Sequence, residues 1–146
     1  TQVIQTPFSG ITAAETALLT DIRDHEVAHR EFFRAALGES GIGFLDINLS
    51  TINFSDRTSV LTAARTFEDL GVAAYNGAGR LITTPDYLTL AGKIVSVEAR
   101  HAAYIRNLLS PGSFADATVV DANGLELSKD PAAVLAAAQP FFRTRI

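Results

Sequence analysis

Two short segments of the sequence, Glu26-Val27-Ala28-His29 and Glu98-Ala99-Arg100-His101, share the pattern Glu-x-x-His. Residues three apart on an α-helix project from the same face, so each segment can direct two metal-binding side chains at one ion. Two of the chain's three histidines follow a glutamate at this spacing, which chance would produce at a level of about 1%. The pattern therefore predicts two helices whose Glu and His side chains meet at a shared site.

Three long helices and one short helix are predicted in the chain. The first spans 12–37, because Thr12 and Glu15 form a capping box at its start and Gly38 follows its last turn. The second spans 55–82 and the third 84–109. A C-terminal extension over 110–146 holds a short Ala-rich helix that starts at Asp130-Pro131. The sequence thus predicts a single all-α domain over residues 1–146.

The composition limits the classes of partner. The chain has 146 residues, 47% of them hydrophobic, and a formal net charge of -4. This charge gives no overall attraction to phosphate backbones, so we expect no nucleic-acid partner. Charged residues interrupt every apolar stretch, so we expect no membrane insertion. Because the chain contains no cysteine, a metal would have to bind to histidine and carboxylate side chains.

An acidic residue falls near the middle of the predicted buried face of each long helix. These residues are Glu26, Glu68 and Glu98. An ionised carboxylate that is buried alone costs several kcal/mol, and three of them together would repel one another. A bound cation removes this repulsion, and the neighbouring imidazoles favour a transition metal over Mg²⁺ or Ca²⁺.

The residues around these acids resemble the ferritin-like superfamily, and most closely the ferritin-like domain family that includes the desiccation-related proteins of bacteria and plants. The segments that carry the resemblance are Asp24–His29 with Glu31-Phe32-Phe33, Phe67–Tyr75 and Val97–Tyr104. The long connection over 38–54 and the short one at Thr83-Thr84 agree with it, since such a bundle has one long crossover. The resemblance implies a ferritin-like helical bundle with its second, third and fourth helices present, plus a short C-terminal helix.

Residues 1–10 show no counterpart of the family's first helix, which would supply one further Glu. The expectation is therefore an N-terminally truncated or processed chain that carries five of six ligands. The alternatives are that another segment or subunit covers the open face, or that the centre is incomplete. An incomplete bundle would also leave an open hydrophobic groove between its helices, and a homo-oligomer that covers this groove is the expected consequence.

The resemblance also implies a function. It predicts a centre of two Fe or Mn ions that reacts with O2 or peroxide in stress protection, bound by Glu26, His29, Glu68, Glu98 and His101, with Tyr75 next to these ligands. The alternative is a non-enzymatic stress or desiccation-related structural protein whose metal site is weak or vestigial. The resemblance further suggests an extracytoplasmic location, either periplasmic or secreted.

Three nearby polar residues or pairs receive other interpretations. The capping box fully accounts for Glu15. His25 lies about 100° around the helix from Glu26, so we interpret it as a residue of the surface or of the site's periphery and not as a ligand. Asp69 and Arg100 point away from the buried faces, which favours a surface ion pair.

Overall fold

The structure is a computed structural model that describes residues 8–145. Residues 1–7, which make up most of the stretch predicted to lack the family's first helix, lie outside the described residues.

The described chain contains four α-helices: α1 (Ala13–Leu37), α2 (Arg57–Gly79), α3 (Pro85–Leu109) and α4 (Pro131–Ala138). Short 3-10 turns follow α1 at Gly38–Ser40 and α4 at Gln139–Phe141. Residues 8–145 form no regular β-strand, only two isolated β-bridges. The fold is therefore all-α, and it is consistent with a ferritin-like helical bundle.

The ends of α2 differ from the predicted range of 55–82. The helix begins at Arg57 because the side chain of Asp56 accepts hydrogen bonds from the first-turn N–H groups of Thr58 and Ser59. It ends at Gly79, after which the N–H of Leu81 donates to the carbonyl of Ala78 in a tight turn. The start and end of a helix depend on such local hydrogen bonds, which the apolar pattern does not specify.

The closest helix packing is between α2 and α3, which a short turn over 80–84 connects. Their facing sides hold the core of the molecule, with Leu61, Val72, Ile94 and Ile105 buried. On α3, the middle of the predicted face is buried, at Ile94, Glu98, His101 and Ile105, whereas Tyr87 at its start is exposed. Helices α2 and α3 thus form the packed part of the bundle that fixes the positions of Glu68, Glu98 and His101.

Helix α1 lies against this pair without being enclosed by it. The capping box predicted at its start is confirmed, since the N–H of Glu15 donates to Thr12 Oγ1 and the N–H of Thr12 donates to Glu15 Oε2. The other Glu15 oxygen forms a 2.6 Å ion pair with Arg57 of α2. No residue of α1 is buried within the described part of the chain. The predicted buried face of this helix is therefore only partly buried: Leu19, Ile22, His29 and Phe33 are half-buried, whereas Glu26 and Ala36 are exposed.

The C-terminal extension packs against α2. Helix α4 contacts α2, and the N–H of Lys129 donates to the carbonyl of Ala73. Gly77 of α2 is required at this contact, since a Cβ there would lie 1.7 Å from the carbonyl oxygen of Lys129. The last residues pair with the long crossover through a bridge between Ile47 and Phe142. Among residues 8–145, no helix has both the length and the apolar character of a membrane span.

Candidate metal centre

Helix α3 contributes two buried polar side chains to the interior of the bundle. Glu98 and His101 lie one helical turn apart, and their side chains are 8% and 5% exposed. Nδ1 of His101 is 3.1 Å from Oε2 of Glu98. The Glu-x-x-His spacing thus places both groups on the face that packs against the other helices.

Helix α1 brings its own Glu-x-x-His pair to the same place. Nδ1 of His29 lies 3.0 Å from Oε1 of Glu98, and Oε1 of Glu26 lies 3.2 Å from Nδ1 of His101. Within this pair, Nδ1 of His29 lies 3.9 Å from Oε1 of Glu26. The side chain of Glu26 is 47% exposed, since the open side of α1 leaves it in contact with solvent. Its predicted burial is therefore corrected, while its place beside the other acids agrees with the prediction.

Helix α2 supplies the third carboxylate. Oε2 of Glu68 lies 3.5 Å from Nδ1 of His101. One donor atom from each of Glu26, Glu68, Glu98 and His101 lies within 4.8 Å of the other three. His29 joins this group through its contact with Glu98. The structure thus brings together all five residues for which the sequence predicts metal binding, here called the Glu/His cluster.

The electrostatics of the Glu/His cluster are those of several acids that share one cation. Burial raises the pKa of Glu68, and the charges of Glu26 and Glu98 raise it further. Burial alone would lower the pKa of His101, but the carboxylates of Glu26, Glu68 and Glu98, all within 3.5 Å of its Nδ1, overcome this and raise it to about 11. The ring of His101 therefore carries a proton at neutral pH and holds the positive charge that three acids require.

Two observations show that these residues fit a metal ion. Carboxylate oxygens and imidazole nitrogens are the donors that iron and manganese use in helical bundles. In addition, Nδ1 of His29 is buried and lies 3.0 Å from Glu98 Oε1, but it is not aligned for a hydrogen bond to any described residue. A buried ring nitrogen that makes no hydrogen bond costs free energy, and a cation bound beside Glu98 would satisfy it.

Tyr75 lies near the cluster, on the apolar side. Its ring packs against Phe33 of α1, with the ring centroids 6.4 Å apart. Burial raises the pKa of the Tyr75 hydroxyl, and the charges of Glu98 and Glu26 add to the effect. These charges place Tyr75 within electrostatic range of the ligands, and its role beside them stays a prediction.

An apolar cavity of about 450 Å³ opens between α1, α2 and α3 on the Tyr75 side of the cluster. A hydrophobic groove between the helices was expected, and this cavity is such a groove. Its lining consists almost entirely of aromatic and aliphatic side chains: Phe32, Phe33, Ala36, Leu37, Ser40, Tyr75, Ala78, Ile82, Tyr87, Leu90, Ala91 and Ile94.

His25 lies at the periphery of the cluster, which is one of the two places predicted for it from the sequence. It is exposed, yet Nδ1 of its ring is 3.0 Å from Nε2 of His101. Sequence spacing alone could not show this contact, because it crosses from α1 to α3 and depends on how far apart the two helices lie.

The predicted surface pair of Asp69 with Arg100 was wrong. Asp69 forms a 2.6 Å ion pair with the buried Arg106 of α3, while Arg100 donates to Ser96 within its own helix. Arg106 also binds Asp116 of the C-terminal extension. The pairing follows from the packing of α2 on α3, which brings these residues together although they are far apart in the sequence.

A comparison with protein families gives the same result as the geometry. The family described as "Ferritin-like domain" matches residues 2–111, a range that includes α1, α2, α3 and the entire Glu/His cluster. No match was found among curated proteins or among solved structures. The match covers well over half of the chain, and the chain therefore belongs to the ferritin-like domain family.

Proposed function

We propose that this protein binds two Fe or Mn ions at the Glu/His cluster and consumes O2 or peroxide in stress protection. The observation that carries the proposal is the convergence of three helices on one group of donor atoms, with Glu26, Glu68, Glu98 and His101 within 4.8 Å of one another. Membership of the ferritin-like domain family supports it.

The roles follow from the donor atoms. Glu26, Glu68 and Glu98 would bridge or terminally ligate the ions, while His29 and His101 would each bind through Nδ1, the nitrogen that faces the carboxylates. Two divalent cations would compensate the three acids and replace the proton on His101. When bound, the ions supply the redox chemistry. The chain supplies the positions of the ligands and, around Glu98 and His101, an environment that excludes water.

The test is metal stoichiometry. Purified protein is freed of metal, given Fe(II) or Mn(II) without oxygen, and analysed by native mass spectrometry and elemental analysis. We expect about two ions per chain. Glu98→Ala and His101→Ala should each lose bound metal, whereas Glu31→Gln should not. Glu31 is a matched control, because it is a glutamate of α1 whose ion-pair partners in the described part of the chain are the exposed Arg30 and Arg34.

The consumption of O2 or peroxide is tested separately. The metal-loaded protein should consume O2 or hydrogen peroxide faster than the same amount of free metal, and Glu98→Ala should remove the difference. Bound metal without such consumption would contradict the redox activity and leave a metal-binding protein.

The structure also offers support for the alternative, a non-enzymatic structural protein of the stress or desiccation-related kind. The proton on His101 already gives the carboxylates a positive partner, and Glu26 is half exposed. A cluster of this kind can hold the three helices together without metal. In that case the melting temperature would be the same in chelator and in excess Mn(II), whereas the metal-centre proposal predicts a higher melting temperature with metal.

A further inference from the structure

His25 and His101 meet across the gap between α1 and α3. Nδ1 of His25 is 3.0 Å from Nε2 of His101, the ring planes differ by 7° and the ring centroids are 5.2 Å apart. This centroid separation is close to the N···N distance plus one ring radius at each end. The rings therefore meet edge to edge in nearly one plane. In this arrangement the N–H of one ring points along the lone pair of the other, which is the alignment that favours a hydrogen bond.

The two edges of the His101 ring have different neighbours. Nδ1 faces the carboxylates, at 3.1 Å from Glu98 and 3.2 Å from Glu26. Nε2 faces Nδ1 of His25, which is its hydrogen-bond partner among the described residues. A histidine that binds metal through one nitrogen commonly donates the N–H of its other nitrogen to a fixed acceptor, and this acceptor sets the ring's orientation and its metal-binding nitrogen.

We propose that His25 is a positioning residue for the metal centre: its Nδ1 accepts the hydrogen bond from His101 Nε2–H and so holds His101 Nδ1 toward Glu26 and Glu98. The inference rests on the proposed function, since it assigns the support of one proposed ligand. It also explains why the exposed His25 of α1 directs its ring at the buried ring of His101 on α3.

The test uses two substitutions of different chemistry. His25→Phe keeps an aromatic ring but removes the acceptor. His25→Asn keeps an acceptor, because an amide oxygen can occupy nearly the position of Nδ1. Asp24→Asn is the matched control, since Asp24 is the neighbouring exposed residue and pairs with Arg23. The probe is Zn(II), which is diamagnetic. Its affinity is measured by competition titration, and the protonation of the His101 ring nitrogens is followed by ¹H–¹⁵N NMR.

We expect His25→Phe to weaken Zn(II) binding by about 10–100-fold, the usual effect of losing such an acceptor. His25→Asn should retain affinity close to that of the wild type, and Asp24→Asn should be unchanged. In the Zn(II)-loaded wild type, NMR should show a proton on His101 Nε2 that exchanges slowly with solvent. In His25→Phe this proton should exchange faster.

Two results would overturn the positioning role while leaving the proposed function intact. One is equal Zn(II) affinity in the wild type and His25→Phe. The other is an equal loss of affinity in His25→Phe and His25→Asn, which would indicate lost packing and not a lost acceptor. If the wild type bound none of Fe(II), Mn(II) and Zn(II), the proposed function would fail, and this inference with it.

Discussion

Nδ1 of His29 on α1 lies 3.0 Å from Oε1 of Glu98 on α3. This contact joins a helix without buried residues to the best-packed face of the molecule. It involves a buried ring nitrogen that forms no hydrogen bond within residues 8–145. The attachment of α1 to α3 at this point therefore depends on the electrostatic attraction between the imidazole and the carboxylate, or on a cation that both groups bind.

The first prediction concerns the dynamics of α1. Because few apolar contacts hold this helix, its amide hydrogens should exchange faster than those of α2 in metal-free protein. Bound metal would link Glu26 and His29 to Glu98, so Mn(II) should slow exchange in peptides from 13–37. Hydrogen exchange read by mass spectrometry measures this, with Glu98→Ala as the variant that should show no response. Equal exchange of α1 with and without Mn(II) would contradict the prediction.

The second prediction is a pH dependence of the metal-free protein. The pKa of His101 is about 11 in the folded chain, against an ordinary histidine value of 6.5. The folded state thus keeps this proton at pH values where the unfolded state loses it. The stabilisation that His101 contributes is complete below pH 6.5 and declines as the pH rises toward 11.

This decline can be measured by urea unfolding in chelator at several pH values between 6 and 10. Glu26→Gln removes one carboxylate hydrogen-bonded to His101 and should lower the pKa of His101, so its stability should fall less steeply over the same range. A free energy of unfolding that rises with pH in the wild type, or an equal slope in both proteins, would count against the prediction.

A third prediction compares two glycines of α2. A Cβ at Gly71 would meet nothing within 4 Å, so Gly71→Ala should raise the free energy of unfolding by about 0.5–1 kcal/mol. A Cβ at Gly77 would lie 1.7 Å from the carbonyl oxygen of Lys129, so Gly77→Ala should lower it by roughly 1–3 kcal/mol. Chemical denaturation of both variants gives the comparison. Similar effects of the two substitutions would mean that the C-terminal extension does not pack closely on α2.

The fourth prediction concerns Arg106, which binds Asp69 and Asp116 while its side chain is 7% exposed. Arg106→Met leaves the partly buried Asp69 without its cation and should cost about 1–3 kcal/mol of stability. Arg100→Met is the control on the same helix, because Arg100 is exposed and its hydrogen-bond partner among residues 8–145 is Ser96. We expect the control to change stability by less than about 0.5 kcal/mol. Equal melting temperatures of the two variants in thermal unfolding would refute this prediction.

A fifth prediction concerns self-association through the apolar cavity between the long helices. Leu37 lies at this cavity and is 50% exposed. If a second copy covers it, light scattering should show a mass that rises with concentration, and Leu37→Glu should keep the chain monomeric. Leu125→Glu places the same charge at another exposed leucine and should leave self-association unchanged. A mass of one chain at every concentration would contradict the homo-oligomer.

The sequence by itself determined the helices and the members of the Glu/His cluster. The capping box of Thr12 with Glu15, the prolines that begin α3 and α4, and the spacing of three between Glu and His are local features. Helix geometry translates such features directly into which residues share a face.

Only the tertiary structure decided how exposed these residues are and which partners they have. The contact of His25 with His101 and the pairing of Asp69 with Arg106 each join two different helices. The exposure of Glu26 depends on which elements cover α1. These features follow from the distance and rotation between helices, which packing of the whole chain sets and which the periodicity of a single helix does not contain.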